Sequence, residues 1–319
     1  MMDIDAVITW VDGSDPVLSA KRRSYQSGDE DLRQDVAGPT RYASLGEIFW
    51  CVASINRFAP WFRRIYIITD GQDPHLEEFL SQHFPGGHIP VEIVDHRTVF
   101  KGYEEYLPVF NSRSIETMMW RIPDLSEHFV MFNDDFLLSA EVTPEDFFLP
   151  DGRPVCYARK FSQAWVRLLR ALKPKKNGRK NISFKESMLR AAEVVGEKSL
   201  ILRLEHTPRP LLRSWYESWF AEREDVLRRN ISCRFREPSQ YNAEEIQYLD
   251  LYRMGGCEVR RPFDYLFFLQ PKPKKDYVAG KMAKLRAGSY RFVCFNSIDL
   301  ASEEDRRMIV SWVEETLGL

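Results

Sequence analysis

The chain has 319 residues, 44% of them hydrophobic, and a formal net charge of −2. That composition supports a sizeable core in one large α/β domain or two smaller ones and excludes global disorder. The near-neutral balance gives no bulk attraction to polyanions, so no nucleic-acid partner is expected. Five cysteines (Cys51, Cys156, Cys233, Cys257 and Cys294) are scattered without a CxxC pair. They argue against a zinc site or a disulfide framework and fit a reducing cytoplasm. The acidic start Met1-Met2-Asp3-Ile4-Asp5 lacks the basic region of a signal peptide. No apolar run approaches the ~18 to 20 residues that span a bilayer, so any membrane contact is expected to be peripheral.

In chain order, Ala6–Val11 is rich in β-formers and reads as the first strand. It runs into Asp12-Gly13-Ser14-Asp15-Pro16, where Gly13 permits a tight turn and Pro16 pushes Asp15 out of helical geometry. A strand ending in such a loop can present backbone N–H groups and carboxylates to a nucleotide, although a plain turn reads equally well. Lys21 to Pro39 is polar and reads as an exposed loop with some helix, a candidate lid. Ile48, Val52 and Ile55 recur at helical spacing in a helix beginning near Ser44 and broken by Ala59-Pro60. Arg64–Gly71 is a second strand, His75–Phe84 a short helix, and Pro90–Val94 a third strand. Alternation of this kind predicts a Rossmann-like, mostly parallel sheet flanked by helices.

Ser112 reads as the N-cap of the next helix, with Ile115 and Glu116 in its first turn. Phe129–Leu138 then places Asn133-Asp134-Asp135 between two apolar runs. Adjacent carboxylates in such a setting are costly unless a cation neutralises them, and Mg²⁺ commonly bridges carboxylates to substrate phosphates. A surface turn is the bland alternative. Three strands thus end in aspartate, at Asp12, Asp70 and Asp134 with Asp135, and a parallel sheet would bring all three to one rim.

Between residues 165 and 180 the chain becomes basic, with Trp165, Val166, Leu168, Leu169 and Leu172 interleaved. This predicts either a solvated helix and loop or an amphipathic element for an anionic membrane face or a polyanionic acceptor. His206 sits in a loop before Thr207-Pro208, where a structural role is the more common one. Helices are expected over Ser187–Val195, Ser214–Arg229 and Asn242–Met254, the last stopped by Gly255-Gly256. Arg260 and Arg261 form an exposed pair of the kind that usually binds nothing specific. A late strand over Tyr290–Asn296 and an amphipathic helix over Ser302–Leu317 close the chain.

Together these stretches resemble the Stealth family of sugar-phosphate transferases. The resemblance rests on Ile4–Pro16, Ala59-Pro60-Trp61, Ile65–Gln72, His96, Leu107-Pro108, Phe110-Asn111-Ser112, Ile115-Glu116, Ile122-Pro123, Leu125-Ser126 and Asn133-Asp134-Asp135. It continues, over shorter motifs, through His206-Thr207-Pro208, Arg236 and Phe292–Asn296. The chain departs from the family pattern at Phe49, Ala53 and Ser297, each of which removes a charge.

The resemblance implies transfer of a sugar 1-phosphate from a nucleotide sugar such as UDP-GlcNAc to a saccharide acceptor, on a GT-A-like fold with a helical insertion. It implies a nucleotide-sugar-binding half over 1–160, an acceptor-side helical insertion over 161–258, and a closing strand and helix over 259–319. Asp135 and Asn296 would hold Mg²⁺ or Mn²⁺. Trp10, Asp12, Gly13, Ser14 and Asp15 would shape the donor loop, with Arg41, Asp70, Gln72, Asn111, Ser112 and Glu116 binding substrate. Arg236 would grip the transferring phosphate, and His206 would be the general base, with Asp134 as its competitor. The alternatives are a metal-dependent glycosyltransferase and an inactive nucleotide-sugar-binding homologue. The protein would work in the cytoplasm, at most peripheral to the inner membrane face.

Overall fold

A computed structural model describes residues 2–26, 46–171, 184–262 and 265–319. In chain order its strands are β1 Ile4–Thr9, β2 Ile65–Thr69, β3 Val91–Asp95, β4 His128–Asn133, β5 Phe136–Leu138 and β6 Val155–Ser162. They continue with β7 Leu200–Leu204, β8 Arg209–Leu212, β9 Glu258–Arg260, β10 Leu266–Leu269 and β11 Phe292–Phe295. The main sheet has the order β3-β2-β1-β4-β8. Its first four strands are parallel, and β8 joins antiparallel on the far side of β4, with Arg209 opposite Met131. This is the mostly parallel α/β sheet that the alternation of elements predicts.

Period-two alternation divides the sheet's residues between two cores. Ala6, Ile8, Ile65, Ile67, Val130 and Phe132 face one, covered by helices Glu47–Phe58 and Glu303–Leu317. Val7, Tyr66, Ile68, Phe129 and Met131 face the other, covered by helices Phe184–Val194, Arg213–Ala221 and Ala243–Arg253. Two small sheets complete the fold, β10-β11-β5 and β7-β6-β9. The stretch 161–258 supplies most helices of the second core and also β8, which belongs to the main sheet. From 259–319 come β10 and β11, with β11 in the middle of its small sheet, and the C-terminal helix.

Several local expectations change. The first strand ends at Thr9 rather than Val11, because Val11 turns away to pack with Leu18, Phe110 and Phe235. Asn111, not Ser112, caps helix Ser112–Glu116: its extended backbone lets Oδ1 accept from Ser114 N at 3.2 Å. The helix expected over 214–229 is two, Arg213–Ala221 and Glu224–Ile231, broken at Glu222-Arg223. The break lets Trp215, Trp219 and Phe220 on one side and Leu227 and Ile231 on the other reach the same core. The expected helix start at Ser44, most of the candidate lid, and residues 172–180 of the basic stretch lie outside the described residues.

Candidate active site

The rim is assembled by register. Thr9 of β1 pairs with Asn133 of β4 and with Ile68 of β2. The turns carrying Asp12, Asp70 and Asp134-Asp135 therefore leave neighbouring strands, spaced about 4.8 Å apart, at the same edge of the sheet. Gln72 ties the first two turns together. Its Oε1 accepts from Asp12 N at 3.0 Å, while Nε2 donates to Asp12 O at 3.0 Å and Asp15 Oδ2 at 2.9 Å. Asp12 Oδ1 accepts from Ser14 N and Oγ at 2.8 and 2.6 Å. Gly13 contributes its carbonyl to Ser19 Oγ at 3.3 Å. Asp15 caps helix Pro16–Ser24 through Val17 N at 2.7 Å, and Gln72 followed by that N–H holds its carboxyl below the usual range. Asp70 is occupied by Lys21 Nζ at 2.6 Å, so it braces the loop. Trp10 is buried in the core beneath the rim.

The acidic tip lies where the chain crosses from β4 in the main sheet to β5 in the small one. Asp135 Oδ2 accepts from Asn296 Nδ2 at 3.0 Å and lies 3.5 Å from Cys294 Sγ, both on the β11 side. The expected pair of Asp135 and Asn296, 161 residues apart in sequence, is thus in direct contact. Burial pushes the Asp135 carboxyl up, against the hydrogen bonds from Asn296 and Cys294. Asp134 is driven well above the usual range by burial, then by the charges of Asp135 and Glu47.

A third group comes from the chain's middle, and its His206 reaches the tip through Phe136. Arg236 Nη2 donates to Ser112 Oγ at 3.2 Å, and the Ser112 hydroxyl in turn bonds Glu116. Asn111 Nδ2 donates to Cys233 O at 2.6 Å, tying the same helix start to the segment before Arg236. Val11, Leu18, Phe110 and Phe235 form a small apolar cluster that sets this unit against the donor loop. His206 stacks on Phe268 with ring centroids 4.5 Å apart and meets Phe136, the residue after Asp135, edge-on at 6.4 Å. Burial, then the charges of Arg209 and Arg203, lowers the imidazole to about 4, so it is neutral at physiological pH.

Behind these partly exposed groups lies a buried set of charges, of which the sequence reading named Glu116 and missed Arg113, Arg209, Glu244 and Glu245. Arg113, Glu116, Glu244 and Glu245 are each at most 5% exposed. Arg209 on β8 bonds Glu244, and its charge acts on Glu116 and Glu245 on one side and on Asp135 and His206 on the other. Burial and then Glu244 raise Glu116 to about 7 and Glu245 to about 8. The available signal was Glu244-Glu245 at the head of a helix whose residues 243–249 are all buried. Two carboxylates on such a helix require basic partners.

A hard cation fits this tip. Asn133 Oδ1 and Asp135 Oδ1 are buried acceptors without a hydrogen-bond partner. Among the described residues no three His, Cys, Asp or Glu side chains converge as a cage. That donor set suits Mg²⁺, which takes one or two carboxylates and completes its shell with water and substrate phosphate. Arg41 lies outside the described residues. No helix among the described residues is long and apolar enough to cross a membrane.

Comparison with known proteins shows the family of the chain. The model of Stealth protein conserved region 1 matches residues 2–30, and that of conserved region 2 matches residues 41–156. The capsular polysaccharide phosphotransferase WcwK of Streptococcus pneumoniae is 31% identical, over 95% of this chain and 93% of its own. The receptor polysaccharide phosphotransferase WefC of Streptococcus oralis is 30% identical, over 97% of this chain and 94% of its own. A capsular polysaccharide phosphotransferase of Actinobacillus suis is 32% identical over 70% of this chain and 58% of its own length. Among solved structures, mouse xyloside xylosyltransferase 1 covers 92% of this chain and 96% of its own at 10% identity, with a TM-score of 0.44.

Proposed function

We propose, from the premise that this chain belongs to the Stealth family of sugar-phosphate transferases, that it moves a sugar 1-phosphate from a nucleotide sugar to a saccharide hydroxyl during capsular or exopolysaccharide synthesis. The observation that supports it most is the meeting of Asp135 with Asn296 on the rim that also carries the Asp12 loop. In this reading the acceptor oxygen attacks the sugar-bearing phosphorus. The new P–O bond makes a phosphodiester, the pyrophosphate P–O bond breaks, and a nucleoside monophosphate leaves with the electron pair. The anomeric C–O bond survives.

Each group then has a physical task. The loop over Asp12–Asp15, fixed by Gln72, is a preformed cradle for the donor. Asp135 and Asn296 would hold Mg²⁺ or Mn²⁺, whose contribution is to neutralise charge on the diphosphate. Arg236, backed by Ser112 and Glu116, presents a planar guanidinium to the transferring phosphate. His206 is neutral and accepts the hydroxyl proton. Burial first and the charge of Arg209 second keep its basicity low, and an anionic donor beside Arg209 would offset the second of these.

Product analysis tests the reading. Mass spectrometry of reactions with a panel of nucleotide sugars and a soluble oligosaccharide should show released nucleoside monophosphate and an acceptor heavier by a sugar phosphate. Release of nucleoside diphosphate with a plain glycoside would replace this reading by simple glycosyl transfer. Absence of donor binding in titration calorimetry, with and without Mg²⁺, would mark an inactive homologue.

A further inference from the structure

Helix Gln163–Ala171 turns an apolar face toward solvent. Its inner side is anchored: Gln163 Nε2 donates to Glu197 O at 2.7 Å and Leu200 O at 3.0 Å, and Val166 is buried in the second core. On the outer side Trp165 is 56% and Leu168 49% exposed. Three residues apart, Trp165 and Leu168 share one face of the helix. A merely solvated helix would carry polar groups there.

Arg167 is exposed on the same helix. The shallow basin beside Gln163 is mixed in charge: Arg167, Arg190 and Lys198 line it together with Glu193 and Glu197, and Arg190 pairs with Glu193. From Gln163 to Lys185 the sequence holds eight Lys or Arg and no Asp or Glu. The whole chain carries −2, so everything outside this segment sums to −10. The segment thus carries eight positive charges in an otherwise acidic sequence.

We propose that this helix docks the protein on an anionic lipid membrane, with Trp165 and Leu168 entering the headgroup boundary and the neighbouring cations lying over it. An outward stripe of large apolar side chains flanked by Lys and Arg is the pattern of an interfacial helix. A polyanionic saccharide would use the charge and stack on Trp165 but leave Leu168 without an apolar partner.

The test is co-sedimentation of the full chain with phosphatidylcholine vesicles that contain or lack phosphatidylglycerol. Binding should require the anionic lipid and weaken with salt. The double substitution Trp165→Ser with Leu168→Ser should lower partitioning about tenfold. Both side chains are exposed, so the variant should keep the wild-type melting temperature and its transfer rate with a soluble acceptor. Equal partitioning of wild type and double variant would overturn the proposal in favour of charge alone. So would absence of vesicle binding by the wild type, or vesicle binding abolished by a sulfated polysaccharide in the wild type and double variant alike. A wild-type dimer that the double variant converts to monomer would assign the face to a second copy of the chain and also overturn it.

Discussion

Asp5 lies near the start of β1 and Asp135 just past the end of its parallel neighbour β4. Asp5 is fully buried and saturated: Arg63 Nε and Nη2 donate to it at 2.9 and 2.6 Å, and Ser126 N at 2.7 Å. Asp135 is left with one oxygen unpartnered, and its carboxyl is pushed up by burial. A carboxylate whose cost is not met by the protein marks where a ligand is missing. Asp135→Asn should therefore keep the fold and lower transfer by about a thousandfold, the scale of losing one main electrostatic contact. Thermal melts give a readout besides activity: Mg²⁺ with a nucleotide diphosphate should raise the wild-type melting temperature and leave Asp135→Asn unmoved. A variant with wild-type activity would remove Asp135 from the metal site.

His206 and Asp134 compete for the role of base, and geometry separates them. His206 is fixed by Phe268 and Phe136 in a neutral form. Asp134 is pushed well above the usual carboxylate range by burial, then by the charges of Asp135 and Glu47. His206→Ala should slow turnover by about 10² to 10⁴ with donor affinity within a few-fold of wild type, as expected for a lost general base. Single-turnover rates paired with titration calorimetry make the measurement. If Asp134→Asn shows that pattern and His206→Ala does not, the roles are exchanged.

At the scale of elements, the helix Ala243–Arg253 carries the largest electrostatic burden. Glu244 and Glu245 are fully enclosed, facing Arg209 from β8 and Arg113 and Glu116 from helix Ser112–Glu116, on which the charge of Arg236 also acts. In the unfolded chain the Glu245 carboxyl titrates near its ordinary 4.5; in the folded protein it holds its proton up to about 8. Between those values the folded state binds more protons than the unfolded state, so stability falls as pH rises, and the loss is complete above about 8. Glu245→Gln should flatten that slope and melt higher than wild type at pH 8, by roughly 2 to 4 °C for each kcal/mol regained. Melting curves from pH 5 to 9 would show it, and an unchanged slope would place the titration elsewhere. The same element shows why the site was only partly legible. Asp12, Asp70 and Asp134-Asp135 announce themselves because each follows an apolar strand, and period-two patterning locates those strands. Glu244-Glu245 at a helix start reads as ordinary dipole compensation, and Arg209 as one more surface cation. Their burial arises only when β8 docks on β4, a pairing that nothing local in Arg209–Leu212 specifies. Strands β5, β9 and β10, of three or four residues, are likewise too short to show a period.

Across the whole molecule, the proposed site draws on parts of the chain far apart in sequence. The Asp12 loop and acidic tip come from the first 135 residues, the candidates His206 and Arg236 from the middle, and Asn296 follows β11. β11 lies between β10 and β5, with Cys294 opposite both Phe268 and Phe136. Helix Glu303–Leu317 adds Ile309, Trp312, Val313 and Leu317 to the core that also holds Ile48, Val52 and Ile55. A chain ending at Pro262 would lose roughly a third of the buried residues of that core, far beyond what a cavity of one or two side chains costs. It would also leave β5 with an unpaired edge and Asp135 without Asn296. The fragment 1–262 should therefore aggregate or melt without a cooperative transition. In the full chain, near-ultraviolet circular dichroism and donor binding should vanish together in one denaturant transition. A soluble fragment 1–262 with a sharp melt would show that the first 262 residues fold alone and that β11 serves the site without holding up the fold.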